Sequence, residues 1–169
     1  MKLRNRLLVL IFVSGFLFVV DQVLKYFART NSEFVYYLWK PWIGWEYFGN
    51  SGVAFSLPLP NLLAVIFTPV ILLGLIVWMV KLSAFSFQLA GKTEEQTTIC
   101  KLKAVSCKLL AISLIIAGAI SNYVDRVLFA VTIDYIRIFT GVFNLADVMI
   151  LGGVIMLIVS NKEIKKLGN

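Results

Sequence analysis

The chain has 169 residues, 60% of them hydrophobic, with a mean hydropathy of +0.89 and a formal net charge of +7. A soluble domain is about 45–50% apolar, so this composition excludes an ordinary globular enzyme and predicts an integral membrane protein. In such a chain basic residues mark cytoplasmic loops, and no nucleic-acid partner is expected.

Histidine is absent from the sequence. That excludes HExxH zinc sites, Ser-His-Asp triads and Cys-His dyads. The two cysteines, Cys100 and Cys107, fall in a Lys-rich stretch and read as reduced bystanders rather than a disulfide framework. Chemistry, if present, must use Asp, Lys, Ser or Tyr. No cofactor and no metal are expected.

The expected fold is an all-α membrane protein, a single domain over 1–169. It has four transmembrane helices and a small outer-side β-element. The first span covers 7–27. Lys2, Arg4 and Arg6 precede it and place its N-terminus in the cytoplasm. The apolar run continues without a small-x-small cleavage pattern, so it reads as a retained span. Its uncharged part, Leu7–Val20, is too short at ~1.5 Å per residue to cross ~30 Å of hydrocarbon. Asp21 and Gln22 therefore lie in the outer part of the span, and Lys25 follows at i+4 on the same face as an ion-pair partner for Asp21.

Residues 28–57 form an outer segment rich in Trp and Tyr, as at a membrane interface. Its alternation predicts short strands around a turn at Asn50-Ser51-Gly52. Gly52 reads as the turn residue. The second span covers 61–80, with Pro69 as a kink. Residues 81–108 read as a polar cytoplasmic loop. The third span, 109–127, brings Asp125 and Arg126 to its outer end as a second ion pair. Residues 128–142 connect on the outer side, with a strand-like alternation from Val131 to Tyr135. The fourth span, 141–160, returns to a basic tail. Both termini are then cytoplasmic.

This topology collects Asp21, Asp125, Asp134 and Asp147 at one depth near the outer edge of the hydrocarbon. Carboxylates there are costly, about 2.5–3.5 kcal/mol for Asp at a helix centre, and mark a functional site by default. Asp21 and Asp125 have cations beside them and read as struts. Asp134 and Asp147 do not, because Arg137 falls on the opposite face of a strand from Asp134. Two close carboxylates cannot both ionise easily, which suits them to general acid–base hydrolysis. A transporter would show an inverted repeat, and none is present. A Ser-Lys peptidase needs a lysine beside Ser51 or Ser121, and no lysine stands at a suitable spacing. Gly118 and Ala119 read as close-packing residues between helices. Asn50 and Asn144 read as functional amides.

The motifs Asp21-Gln22-x-x-Lys25, Asn50-x-Gly52-x-Ala54-Phe55, Gly118-Ala119-x-x-Asn122-x-x-Asp125-Arg126, Ile133-Asp134-Tyr135 and Phe143-Asn144-x-Ala146-Asp147 follow one another in order. Together they resemble the bacterial signal peptidase II family, the lipoprotein signal peptidases. The resemblance runs through nearly the whole chain. It implies an intramembrane aspartic endopeptidase of the bacterial inner membrane, with its active site near the outer leaflet. Such an enzyme cleaves prolipoproteins before the diacylglyceryl-modified cysteine. It implies a catalytic pair at Asp134 and Asp147, supported by Asp21, Lys25, Asn50, Gly52, Asn122, Asp125, Arg126 and Asn144. It also implies contact with membrane lipids, inhibition by globomycin, no metal, and a monomer. Thr132 stands where the family has valine, and the 81–108 loop is long for the family.

Overall fold

The computed structural model describes the backbone of residues 3–52, 60–90 and 96–166. Ala54, Phe55 and the side chain of Cys100 lie outside the described residues. The element order is α1 (Leu3–Thr30), β1 (Tyr36–Trp39), β2 (Ile43–Asn50), α2 (Asn61–Ala90), α3 (Gln96–Phe129), β3 (Thr132–Ile138), β4 (Gly141–Phe143) and α4 (Leu145–Lys166). All four helices are long and apolar enough to cross a membrane. The chain is a multi-pass membrane protein carrying one small sheet, as its composition requires.

The central helix is α3, which packs on the other three, most extensively on α4. Small residues allow that approach. A Cβ on Gly118 would lie 2.6 Å from the Ala146 carbonyl oxygen, and one on Gly153 would lie 2.7 Å from that of Ala111. Without a hydrophobic drive between helices in lipid, such close backbone contact is what holds a bundle together. Gly118 thus has the packing role its sequence context predicts. α2 packs chiefly on α3 and turns most of its apolar surface outward.

The four strands form one antiparallel sheet in the order β1-β2-β3-β4. A bulge interrupts β2 between Trp45 and Phe48, which twists the strand locally. The sheet rests on one end of the helix bundle, at the C-terminus of α1 and the start of α4, through a small core of Ala28, Ile133 and Tyr135, lined by Leu24, Trp45 and Leu145. Glu46 bonds Arg137 across β2 and β3 at 2.6 Å. Arg137 is thereby turned away from Asp134.

Four expectations need correction. Residues 81–108 are not a loop: α2 runs on to Ala90 and α3 begins at Gln96. The mutual packing of the two helices, with Ser86, Ala104, Val105 and Leu109 buried, outweighs the polar residues that suggested a loop. The fourth helix begins at Leu145, not 141, because Gly141–Phe143 pairs with β3. The hairpin turn of the outer segment lies between Trp39 and Ile43, where the Trp42 N–H donates to the Trp39 carbonyl at 2.7 Å. Asn50 instead ends a strand paired with β3. Asp125 and Arg126 do not pair with each other. A carboxylate and a guanidinium on adjacent helical residues point about 100° apart, and each finds another partner.

Candidate active site

The C-terminal ends of α1 and α3, the strand β3 and the first turn of α4 meet in one buried polar cluster. Lys25 stands at its centre. Its ammonium is 2.9 Å from Asp21 Oδ2 and 2.9 Å from Asp125 Oδ2. It also donates to Asn122 Oδ1 at 2.8 Å and to Ser121 Oγ at 3.2 Å. Lys25 is 1% exposed, and Asp21 and Asp125 are no more exposed than that. A buried charge is tolerated only when paired and hydrogen-bonded, and this ammonium is both.

Asp21 is a junction for four elements. Besides Lys25, its carboxylate accepts from Ser121 Oγ at 2.5 Å, from Tyr135 OH at 2.9 Å and from the Ala146 N–H at 3.2 Å. Asp125 accepts the Ile133 N–H at 3.2 Å and so fixes the start of β3 to α3. Both carboxylates are held by the Lys25 ammonium, the cation expected for Asp21, whereas Arg126, the cation expected for Asp125, bonds elsewhere.

Asp134 and Asp147 meet on Asn144. The Asn144 side-chain amide donates to Asp134 Oδ1 at 2.6 Å, while its Oδ1 accepts the Asp147 N–H at 2.8 Å. Asn144 is the N-cap of α4. The Asp147 carboxylate returns a contact to the Asn144 N–H at 3.4 Å, so the two residues form a reciprocal capping box. Asn122 donates to Asp147 Oδ1 at 2.9 Å, and Asn50 donates to Asp134 Oδ2 at 3.0 Å. Asn50 reaches Asp134 because Thr132 is its register partner on β3, so Asp134 lies diagonally across on the same face. Each of the two carboxylates therefore receives one amide from the α4 cap and one from another element.

Burial pushes the Asp134 carboxyl up to about 7, and the Asp147 charge adds to the effect. The amides of Asn50 and Asn144 oppose that rise by favouring the ionised form. A carboxyl poised near neutrality beside a second carboxylate can exchange a proton with a reacting group.

Arg126 approaches the site from the other side. Its guanidinium donates to the Gly52 carbonyl and, at 3.4 Å, to Asn61 Oδ1. The Gly52 N–H in turn donates to Asn50 Oδ1 at 3.0 Å. Gly52 thus enters the cluster through both of its backbone groups. Asp21, Lys25, Asn50, Gly52, Asn122, Asp125, Arg126, Asp134, Asn144 and Asp147, the candidate site residues, all fall in this cluster.

Ser121 and Tyr135 are members of the cluster that were not anticipated as site residues. Gly118, Ser121, Asn122 and Asp125 stand at i, i+3, i+4 and i+7 on one helical stripe, and that stripe was the signal for Ser121. Its neighbour Lys25 corrects the expectation that no lysine stands near Ser121. A Ser-Lys nucleophile still fails: an ammonium held by two carboxylates is no base, and Ser121 spends its proton on Asp21. Tyr135 is the other. Its hydroxyl links β3 to α1 and α4, and nothing in its local sequence announces that. Among the described residues no group of acidic, Cys or His side chains is arranged to hold a metal ion.

Four membrane-length helices capped by a small sheet, with carboxylates buried where the two meet, define a multi-pass membrane protein with an intramembrane acidic site. Residues 13–161 match the family described as Signal peptidase (SPase) II, and the chain belongs to that family. It is 28% identical to a lipoprotein signal peptidase of Hydrogenovibrio crunogenus, over 97% of this chain and 91% of that one. It is 30% identical to a lipoprotein signal peptidase of Bartonella henselae, over 83% of this chain and 80% of that one. The fold is similar to a bacterial membrane enzyme solved by the in meso method at 2.3 Å resolution, with a TM-score of 0.71 at 24% identity, covering 92% of this chain and 88% of that one. The resemblance read from the five motifs is thereby confirmed, and the chain is a membrane peptidase.

Proposed function

We propose that this peptidase removes signal peptides from prolipoproteins, cutting before the diacylglyceryl-modified cysteine, with Asp134 and Asp147 as the catalytic pair. The observation that carries the assignment is Asn144, which ties the two residues together: its side-chain amide donates to the Asp134 carboxylate, its Oδ1 accepts the Asp147 backbone N–H, and its own N–H faces the Asp147 carboxylate. The pair shares one proton. The ionised carboxylate takes a proton from water, whose oxygen attacks the scissile carbonyl carbon. The protonated carboxyl gives its proton to the carbonyl oxygen. The C–N bond then breaks as the leaving nitrogen is protonated. Which aspartate begins as the acid belongs to the coupled pair rather than to one residue.

Asp21, Lys25, Asp125 and Asn122 hold the pair in place, and Asn50, Gly52 and Arg126 form the wall opposite α4. The protein works as a monomer in the bacterial inner membrane with both termini cytoplasmic. The exposed Trp39, Trp42 and Tyr36 of the β1–β2 hairpin support a site at the outer leaflet. The lipid of the substrate contributes about 0.8 kcal/mol per buried CH₂. Globomycin-type peptides bind at the same site.

The test is cleavage of a lipidated prolipoprotein by the purified protein, with and without globomycin. Asp134→Asn and Asp147→Asn should each lower turnover per folded molecule by about 10²–10⁴-fold. Near-normal turnover by either variant would overturn the pair, and equal rates on unlipidated precursor would overturn the substrate. A membrane-impermeant maleimide should reach Cys100 only after the cytoplasmic face is opened; labelling of intact spheroplasts would reverse the orientation.

A further inference from the structure

The first turn of α4 carries Asp147, and its backbone N–H groups all have protein partners. Asp147 N–H is capped by Asn144, Ala146 N–H by Asp21 Oδ1, and Leu145 N–H by the hydroxyl of Tyr135 at 3.1 Å. Helix starts commonly leave these groups to water or to a single cap. Here α1, β3 and the cap residue each hold one of them. The Tyr135 hydroxyl is committed in both directions, since it gives its own proton to Asp21 Oδ1 at 2.9 Å.

Tyr135 follows Asp134 on β3. Successive strand residues point to opposite faces, so the two neighbours reach the same helical turn from opposite sides. Asp134 reaches it through the Asn144 amide, and Tyr135 through the Leu145 N–H. The ring is fully buried among Ala28, Ile133 and Trp45. A phenylalanine would fill that space equally well. The hydroxyl is therefore not needed for packing, and its two bonds call for a separate explanation.

We propose that Tyr135 is a positioning residue for the peptidase reaction: its hydroxyl is a strut between Asp21 and the α4 backbone that sets Asp147 against Asp134. This rests on the assignment of those two aspartates as the reacting pair. The strut fixes the axial position and rotation of the first turn of α4 relative to the strand that carries Asp134. Without it a partly buried N–H loses its acceptor and Asp21 loses a donor, so the turn shifts to recover a bond. The carboxylates then separate and repel each other less.

The test is Tyr135→Phe in the full-length purified protein, assayed on lipidated prolipoprotein across pH. A displacement of the reacting groups by about 1 Å lowers kcat by up to about 100-fold, and KM should stay within about twofold because substrate binding is untouched. The alkaline limb of kcat should move to lower pH. A hydroxyl that only stabilises the fold would lower thermal stability when removed and leave both kcat and the limb where they are. Leu145→Pro is the second variant. Proline is accepted at the first helical position, and it removes the N–H that the hydroxyl receives while leaving Tyr135 intact. It should show the same fall in kcat. Wild-type kcat and pH limb in either folded variant overturn the strut. Asp147→Asn, run in parallel, separates the two failures: if it is silent while Tyr135→Phe is normal, only the strut is wrong, and if it turns over, the aspartate pair is wrong and the strut falls with it.

Discussion

The Asn144 amide donates to the Asp134 carboxylate at 2.6 Å, across the junction between the sheet and the last helix. The same side chain caps that helix at Asp147. Two jobs on one residue can be separated by substitution. Asn144→Ser keeps a good N-cap and loses the amide to Asp134. Asn144→Ala loses both, and a lost cap costs about 0.5–2 kcal/mol. Turnover should collapse in both variants, while only the alanine should lower the melting temperature clearly. Equal melting temperatures in the two would show that the cap contributes little, and retained turnover in the serine variant would detach Asn144 from the chemistry.

The raised Asp134 carboxyl makes stability depend on pH with a definite sign. Its folded value of about 7 lies above the ordinary carboxylate value of 3.8. Between those limits the folded state holds a proton that the unfolded state has released. Stability therefore falls as pH rises from near 4 to near 7, by at most about 1.4 kcal/mol per pH unit from this group. Asp134→Asn should remove that slope. Thermal unfolding from pH 4 to 8, compared between wild type and variant, checks it, and an unchanged slope rules out Asp134 as its source. Asn50 favours the ionised form, so Asn50→Ala should move the alkaline limb of activity to higher pH.

Lys25 holds two carboxylates, so Lys25→Met strands both. Breaking a buried pair typically destabilises by about 3–5 kcal/mol. Folded yield after detergent extraction should drop sharply. Adding Asp125→Asn removes one stranded charge and should restore part of the yield. A double variant no better than Lys25→Met would mean that charge is not the reason for the loss.

The glycines of the bundle are not equivalent. Gly118→Ala drives a methyl to within 2.6 Å of the Ala146 carbonyl, whereas a Cβ on Gly152 meets nothing within 4 Å. Gly118→Ala should prise α4 from α3, lowering both stability and the grip of Asn122 on Asp147. Gly152→Ala should be neutral or slightly stabilising, since glycine is poor in helices by about 1 kcal/mol. Thermal stability of the two variants, measured side by side, decides the matter.

The span count, the family and the gathering of the four aspartates at one end of the bundle were legible in the sequence, because lipid imposes length and polarity rules on each segment separately. Asp21 and Lys25 could be paired at i+4 for the same local reason. What the sequence did not carry was every bond between distant segments. Asp125 bonds Lys25, 100 residues upstream, rather than its neighbour Arg126, because helix rotation and packing decide which charges face each other. The helical course of 81–90 and of the stretch from Gln96 depended on α2 and α3 burying one another beyond the apolar spans, which no single-segment hydropathy reveals. The two bonds of the Tyr135 hydroxyl exist only because α1, β3 and α4 converge. A hydroxyl within reach of a carboxylate from one helix and an N–H from another is a property of three-dimensional placement, and strand alternation alone reads that tyrosine as core.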